Sequence, residues 1–359
     1  MQYYLVALII SLFFAYMYSK SERNKIIYFI LSILPFVLIS GLRYDVGTDY
    51  SYRYLAEFYE ISNGGNPKNL EIGFKIIIYL VLLFTDNPQY LFLITSLIIV
   101  GMIYFYIFKY AKYPWIGILV FFFGGFFFNS MNILRQYLAI VLLICAFHSL
   151  LKDKILLWLV FIFLAMLQHT TAIIFLVSYI PYYCKYDIKK VAKILLLCLI
   201  IGIAGKPILF WIVSLTRFKV YLSGDFIMYV QGDFQIVQTF INCIILAIYL
   251  YAYYKVPKIQ KDYYLKMYIS MQMLACVFSF YTAFVFLSAR FVVFFSIYSI
   301  YGIARLYEYF KDKQILLRIT VVLVLIYISS FSYLYLKNNV DEALPYQYHF
   351  LYSISNIKE

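Results

Sequence analysis

The sequence predicts an all-α, polytopic membrane protein: one integral membrane domain over residues 1–359, with about 12 transmembrane helices plus a re-entrant or interfacial helix on the outer face. Three observations predict it. Hydrophobic residues make up 65% of the chain and charged ones 13%, with a mean hydropathy of +0.85, a balance from which no water-facing surface can be built. Apolar runs at residues 5–18, 26–42, 90–108, 236–254 and 319–336 approach or reach the roughly 20 residues that cross about 30 Å of hydrocarbon as helix. Lysine clusters recur in alternate connections, which fixes a sidedness.

The first run has no small-residue cleavage site behind it and leads directly to Lys20 and Arg23, so it is expected to be a retained span. Connections at 20–25, 109–112, 152–154, 185–193, 255–266 and 305–318 hold the lysines, and the positive-inside rule places them in the cytoplasm. Parity then fails at one point. If both 70–85 and 90–108 crossed, either the connection at Arg43 or the one at Lys109 would lie on the wrong side. Segment 70–85 is short, carries Glu71 and Lys75 at its start and ends at Asp86-Asn87-Pro88, so it is expected not to cross. The outer side then holds loops at 43–89 and 206–235, the tail 337–359 and both termini. On this topology the cytoplasmic side carries the whole excess behind the net charge of +13, so the basic balance reflects sidedness and needs no nucleic acid.

Gly124-Gly125, inside the phenylalanine run 121–128, reads as a notch for helix contact. The 41 tyrosines suit interfacial belts. The five cysteines lie in or beside apolar runs without metal-ligand spacing and read as packing, so no metal or cofactor site is expected.

Polar residues able to do chemistry fall at the outer ends of spans. After the second run, residues 41–54 combine Arg43, Asp45, Asp49, Tyr50 and Arg53. Arginine forks can grip phosphates, aspartates can take protons or a metal, and tyrosines can stack on sugars; an internally paired loop would look the same. Arg135 and Gln136 follow a polar break at Asn129-Ser130-Met131-Asn132. His169 lies in Gln168-His169-Thr170-Thr171 between two apolar runs, where a pKa of roughly 6.5 would suit a general base. Arg290 interrupts the apolar stretch 283–297, where an unpaired charge costs on the order of 3 kcal/mol. Arg217 in the loop 206–235 is a weaker candidate for a groove.

The sequence resembles the EpsG family of bacterial exopolysaccharide proteins, grouped with the Wzy-type polysaccharide polymerases. The resemblance rests on Arg43-Tyr44-Asp45-Val46-Gly47-Thr48-Asp49-Tyr50 with Tyr54, Glu71-Ile72-Gly73-Phe74, Asn132 through Arg135-Gln136-Tyr137-Leu138-Ala139, His169, Ala289-Arg290-Phe291 and Pro345-Tyr346. It implies a plasma-membrane glycosyltransferase that moves a growing glycan from undecaprenyl pyrophosphate onto an undecaprenyl-pyrophosphate-linked oligosaccharide acceptor at the outer face, beside other polysaccharide-assembly proteins. A compatible mechanism makes His169, Asp45 or Asp49 the base. Arg43, Arg135 and Arg290 hold the leaving pyrophosphate, and Tyr50, Arg53, Gln136 and Arg217 complete the substrate site. A single displacement would invert the donor carbon. The competing expectations are a flippase for the same lipid-linked glycan and another outer-face glycan ligase; the gathering of polar residues at one surface, away from the bilayer midplane, favours a reaction over transport.

Overall fold

The computed structural model describes residues 1–68, 70–204, 235–283, 288–310 and 326–348, together with 211, 214, 215 and 314. Among these residues the secondary structure is helical, with one isolated antiparallel bridge between Arg43 and Tyr348.

The first helices, α1 (Gln2–Lys20) and α2 (Lys25–Gly41), are separated by a four-residue turn and lie side by side. Apolar helices have no hydrophobic drive to associate within lipid, so small polar side chains tie them. The Ser32 hydroxyl donates to the Ser11 carbonyl (2.9 Å), and the Ser11 hydroxyl shares a 2.9 Å bond with the Tyr104 hydroxyl of α5 (Gln89–Tyr110). Their other faces, including Val6, Ile9, Phe13, Ile26, Ile27 and Ile30, are exposed and apolar, a surface suited to hydrocarbon. Helix α8 (Leu134–Leu150) is the hub: every residue in it except Leu142 is buried. Helix α9 (Ile155–Gln168) packs on α8 and turns Leu156, Leu159, Val160 and Phe163 outward.

Among the described residues four helices are long and apolar enough to cross a membrane, α1, α5, Ile236–Lys255 and Ser288–Tyr309, or up to five if a bent pair counts as one span. The expected count of about 12 therefore receives support only in its coarser form, a polytopic helical protein. The shortfall has a local cause. Helices α2, α8 and α9 belong to a class of 10–17 residues, and 17 residues reach about 25 Å at 1.5 Å per residue, short of a full crossing. Most of the loop 206–235 and much of the run expected at 319–336 lie outside the described residues.

After the short helix α3 (Ala56–Ser62), segment 70–85 forms helix α4 (Ile72–Leu82), 11 residues long. At about 16 Å it is shorter than the hydrocarbon core of a bilayer.

The bent pair is α6 (Pro114–Phe123) and α7 (Phe126–Asn132), which meet at 56°. Gly124-Gly125 makes the break: Gly125 has φ +75°, and a Cβ there would lie 2.6 Å from the Tyr335 hydroxyl, which donates to the Gly125 carbonyl at 3.2 Å. The glycine pair is thus both a helix break and the notch that admits Tyr335. Gly125→Ala is expected to lower stability by about 1–3 kcal/mol, through left-handed strain and overpacking together. A thermal unfolding temperature equal to that of the parent would contradict this account.

Candidate functional site

The bend at Gly124-Gly125 delivers the end of α7 and the start of α8 to the loop that follows α2. The Arg43 guanidinium is fully buried there. It donates to the Ser40 carbonyl (2.9 Å), the Ser40 hydroxyl (3.1 Å) and the Met131 carbonyl (2.8 Å), and it lies over the rings of Phe92 and Tyr50. Burial lowers its pKa to about 10. Expected as a pyrophosphate ligand, Arg43 is instead occupied by carbonyls freed where two helices end, and it fastens α2 to α7. Tyr50 is likewise a core residue, stacked on Phe92 at 4.3 Å between centroids.

Asn132 joins three segments. Its amide oxygen accepts from the Thr48 hydroxyl (2.6 Å) and the Asp49 amide (3.1 Å), its amide nitrogen donates to Asp341 (2.8 Å), and its carbonyl accepts from the Tyr54 hydroxyl (2.7 Å). Burial raises the pKa of Asp341, against bonds from Asn132, Asn129 and Tyr335. Nearby, Asp45 is exposed and accepts a hydrogen bond from the Ser51 hydroxyl.

Beside this scaffold lies a second cluster with the features of a reactive site. Glu71 immediately precedes α4. Two residues on is Gly73, where a Cβ would come within 2.7 Å of the Leu167 carbonyl at the end of α9. Only a glycine permits so close an approach, and it sets Glu71 against His169, the residue that ends α9. One Glu71 oxygen lies 3.3 Å from His169 Nδ1; the other accepts from Arg135 at 2.7 Å. Arg135 occupies the first turn of α8, the positive end of the helix dipole, so its charge requires carboxylates. Glu57 supplies a second at 3.7 Å and also lies 3.6 Å from Arg53, which in turn is 3.9 Å from Asp49.

Electrostatics fix the protonation states. Burial alone would raise the Glu71 pKa, but the hydrogen bond from His169 and the charge of Arg135 outweigh it and hold the carboxyl down at about 2. Burial lowers the His169 pKa, helped by the charges of Arg290 and Arg135 and opposed by Glu71. At neutral pH the histidine is therefore uncharged beside an ionised carboxylate. Since that carboxylate can only accept, Nδ1 carries the ring proton and Nε2 presents a free lone pair. Burial raises the pKa of Glu57, and its Oε2 is buried with no hydrogen-bond partner among the described residues.

Arg290 is half-buried near the start of the helix Ser288–Ser296. Its carbonyl accepts from the Gln136 side chain at 2.6 Å, so Gln136 holds the backbone of this helix. Among the described residues the Arg290 guanidinium has no ion-pair partner. The structure thus gathers His169, Arg135, Gln136, Arg290, Arg53 and Asp49 around α8, and commits Arg43 and Tyr50 to packing. Arg217 lies outside the described residues. Among the described residues no group of three or more His, Cys, Asp or Glu could hold a metal ion.

Sequence reasoning did not single out Glu71, Glu57 or Asp341 as site residues. Glu71 did carry a signal: a carboxylate leading an apolar helix, with a glycine two residues later, needs a cationic partner at the membrane edge. Nothing in the local sequence marks Glu57 or Asp341, whose partners lie at Arg135 and Asn132.

A sequence model of the EpsG family matches residues 26–348. No curated protein and no solved structure matches the chain.

Proposed function

This chain belongs to the EpsG family, exopolysaccharide-related membrane proteins of polymerase-like character, and on that premise we propose that it is a membrane glycosyltransferase extending a glycan carried on undecaprenyl pyrophosphate at the outer face of the bacterial plasma membrane. The observation that carries the reading is the Glu71–His169 pair, flanked by Arg135 and by an Arg290 that has no ion-pair partner among the described residues.

In the proposed step a hydroxyl of the acceptor repeat unit attacks the anomeric carbon of the donor chain. Its proton passes to His169 Nε2 while the new C–O bond forms. The bond from the anomeric carbon to undecaprenyl pyrophosphate breaks, its electron pair staying on the departing oxygen. Glu71 keeps the proton on Nδ1 and stabilises the imidazolium that results, a positioning role. Arg290 is available for the developing charge on the pyrophosphate because no carboxylate of the described protein neutralises it. Arg135, shared between Glu57 and Glu71, fixes the Glu71 carboxylate that orients His169. A single displacement inverts the donor carbon.

The test is to supply the purified protein, in a bilayer disc, with an undecaprenyl-pyrophosphate-linked repeat unit. A ladder of longer products with stoichiometric release of undecaprenyl pyrophosphate is expected; movement of single units between leaflets without a ladder would sink the polymerase reading. The pH profile gives an independent check. Because the His169 pKa is depressed below its ordinary value near 6.5, the base form persists through neutrality. Activity should hold down to about pH 6.5 and fall only at lower pH as His169 gains a proton. An acid limb centred above pH 6.5 would remove His169 as the base.

A further inference from the structure

The other end of the helix bundle carries a site of different chemistry. Helix α11 (Ile188–Ala204) follows a tight turn in which Lys185 and Tyr186 both have positive φ (50° and 58°). Asp187 caps it: its carboxylate accepts from the backbone amides of Lys189 and Lys190 at 3.0 and 3.2 Å. This turn lies beside the start of α9, since just ahead of it Ser178 accepts from the Trp158 indole at 3.2 Å and Tyr179 packs on the Trp158 ring. It is therefore remote from Arg135 and His169, which occupy the far ends of α8 and α9.

Around the turn a shallow cavity, open to the surface, is lined by Tyr183, Cys184, Lys185, Asp187, Lys190, Lys193 and Ile194. Three of these are lysines, and among the described residues none of the three has an ion-pair partner. The sole carboxylate on the wall is engaged in capping the helix.

The face of α11 adds depth information. Ile188, Val191 and Leu195 are buried against the protein. The opposite face is exposed and changes character along its length, from Lys189, Lys190 and Lys193 to Leu196, Leu197, Ile200 and Ile201. Within one turn, about 5 Å, the outward surface passes from ammonium groups to hydrocarbon-compatible side chains. A lipid makes the same transition from headgroup to acyl chain, and the cavity opens beside it. A soluble anion needs the lysines alone and has no use for the apolar stripe running on from them; a phospholipid uses both.

We propose that this cavity binds the headgroup of an anionic phospholipid, with the phosphate between Lys185, Lys190 and Lys193 and the acyl chains along Leu196, Leu197, Ile200 and Ile201. The site does not depend on the glycan chemistry at the opposite end. Its selectivity follows from charge: a zwitterionic headgroup brings its own cation and gains little from three unpaired ammoniums.

The experiment uses the full chain in bilayer discs of phosphatidylcholine with and without phosphatidylglycerol, reading lipids retained by native mass spectrometry after transfer to detergent. The parent protein is expected to retain phosphatidylglycerol in preference to phosphatidylcholine by at least about tenfold. The combined variant K185Q/K190Q/K193Q is expected to lose that preference and keep its fold, because all three side chains are exposed. A charge-matched control, K20Q/K25Q/K109Q, places the same loss of charge elsewhere and is expected to retain the preference. Equal retention of both lipids by the parent overturns the proposal, as does an unchanged preference in the first variant or an equal loss in the control. Inorganic phosphate supplies the remaining arm: if it displaces the retained lipid at millimolar concentration, the cavity is a free-anion site and the lipid assignment fails.

Discussion

Replacing Arg290 by methionine is expected to reduce product-ladder formation by about 10²–10³-fold, the usual cost of removing one group that stabilises developing negative charge, while leaving the thermal unfolding temperature unchanged or higher. The two halves of this expectation have separate physical origins. The Arg290 guanidinium has no ion pair among the described residues, and the contact with Gln136 goes through the Arg290 carbonyl, which any residue retains. Folding thus gains nothing visible from the charge and bears the cost of holding it in an apolar stretch. A residue whose removal relieves the fold and stops the reaction has been kept for the reaction. Arg290→Lys, which keeps the charge but loses the planar fork, should recover part of the activity. Full activity in the methionine variant would take Arg290 out of the site, and a collapse in stability would mean that its charge has a structural partner.

Glu71→Gln should act in the opposite manner, damaging both fold and activity. Its carboxylate accepts from Arg135, whose side chain is only 8% exposed, and from His169. With the charge gone, Arg135 retains Glu57 at 3.7 Å, and removing one partner of a buried pair costs about 3 kcal/mol or more. The amide also no longer enforces the Nδ1–H tautomer, so a loss of ladder formation of about 10²–10⁴-fold is expected. A purely structural role would lower activity through the amount of folded protein alone. The positioning role adds a signature: Glu71 raises the His169 pKa, so the surviving activity should show its acid limb displaced to lower pH. Stability should respond to pH with the matching sign. The Glu71 pKa is depressed in the fold, so its contribution is present above the ordinary carboxylate range and is lost as pH falls toward 2.

His169, Arg135 and Arg290 were legible in the sequence because each interrupts an apolar run, and burying an ionisable group in such surroundings is costly enough to stand out. The structure brings all three to one region around α8. Arg43 stands out for the same reason, yet its neighbours turn out to be carbonyls. What decides between a ligand-binding arginine and a helix-tying one is the bend at Gly124-Gly125, which aims the Met131 carbonyl at it. Hydropathy cannot convey that, since a broken helix and a straight one have the same composition. The span count suffered from the same blindness: apolar length was readable, but the breaks at Gly125 and at the 3₁₀ segment Thr170–Ser178 are matters of backbone geometry. The brevity of helix α4 was legible, by contrast, because Glu71 and Asp86 bound its apolar run in the sequence itself.

The contacts made by residues 341–348 place a condition on how the protein is made. Asp341 holds Asn132, the Tyr4 hydroxyl donates to the Ala343 carbonyl, and the Tyr44 amide donates to the Gln347 carbonyl. A ribosome delivering the chain into the membrane releases α1 through α8 long before these partners exist, so Arg43 and Asn132 must wait in a half-built enclosure through the synthesis of some two hundred further residues. The enclosure closes only when the last of them arrive. A nascent chain stalled before residue 341 would leave the Asn132 amide nitrogen without its Asp341 partner.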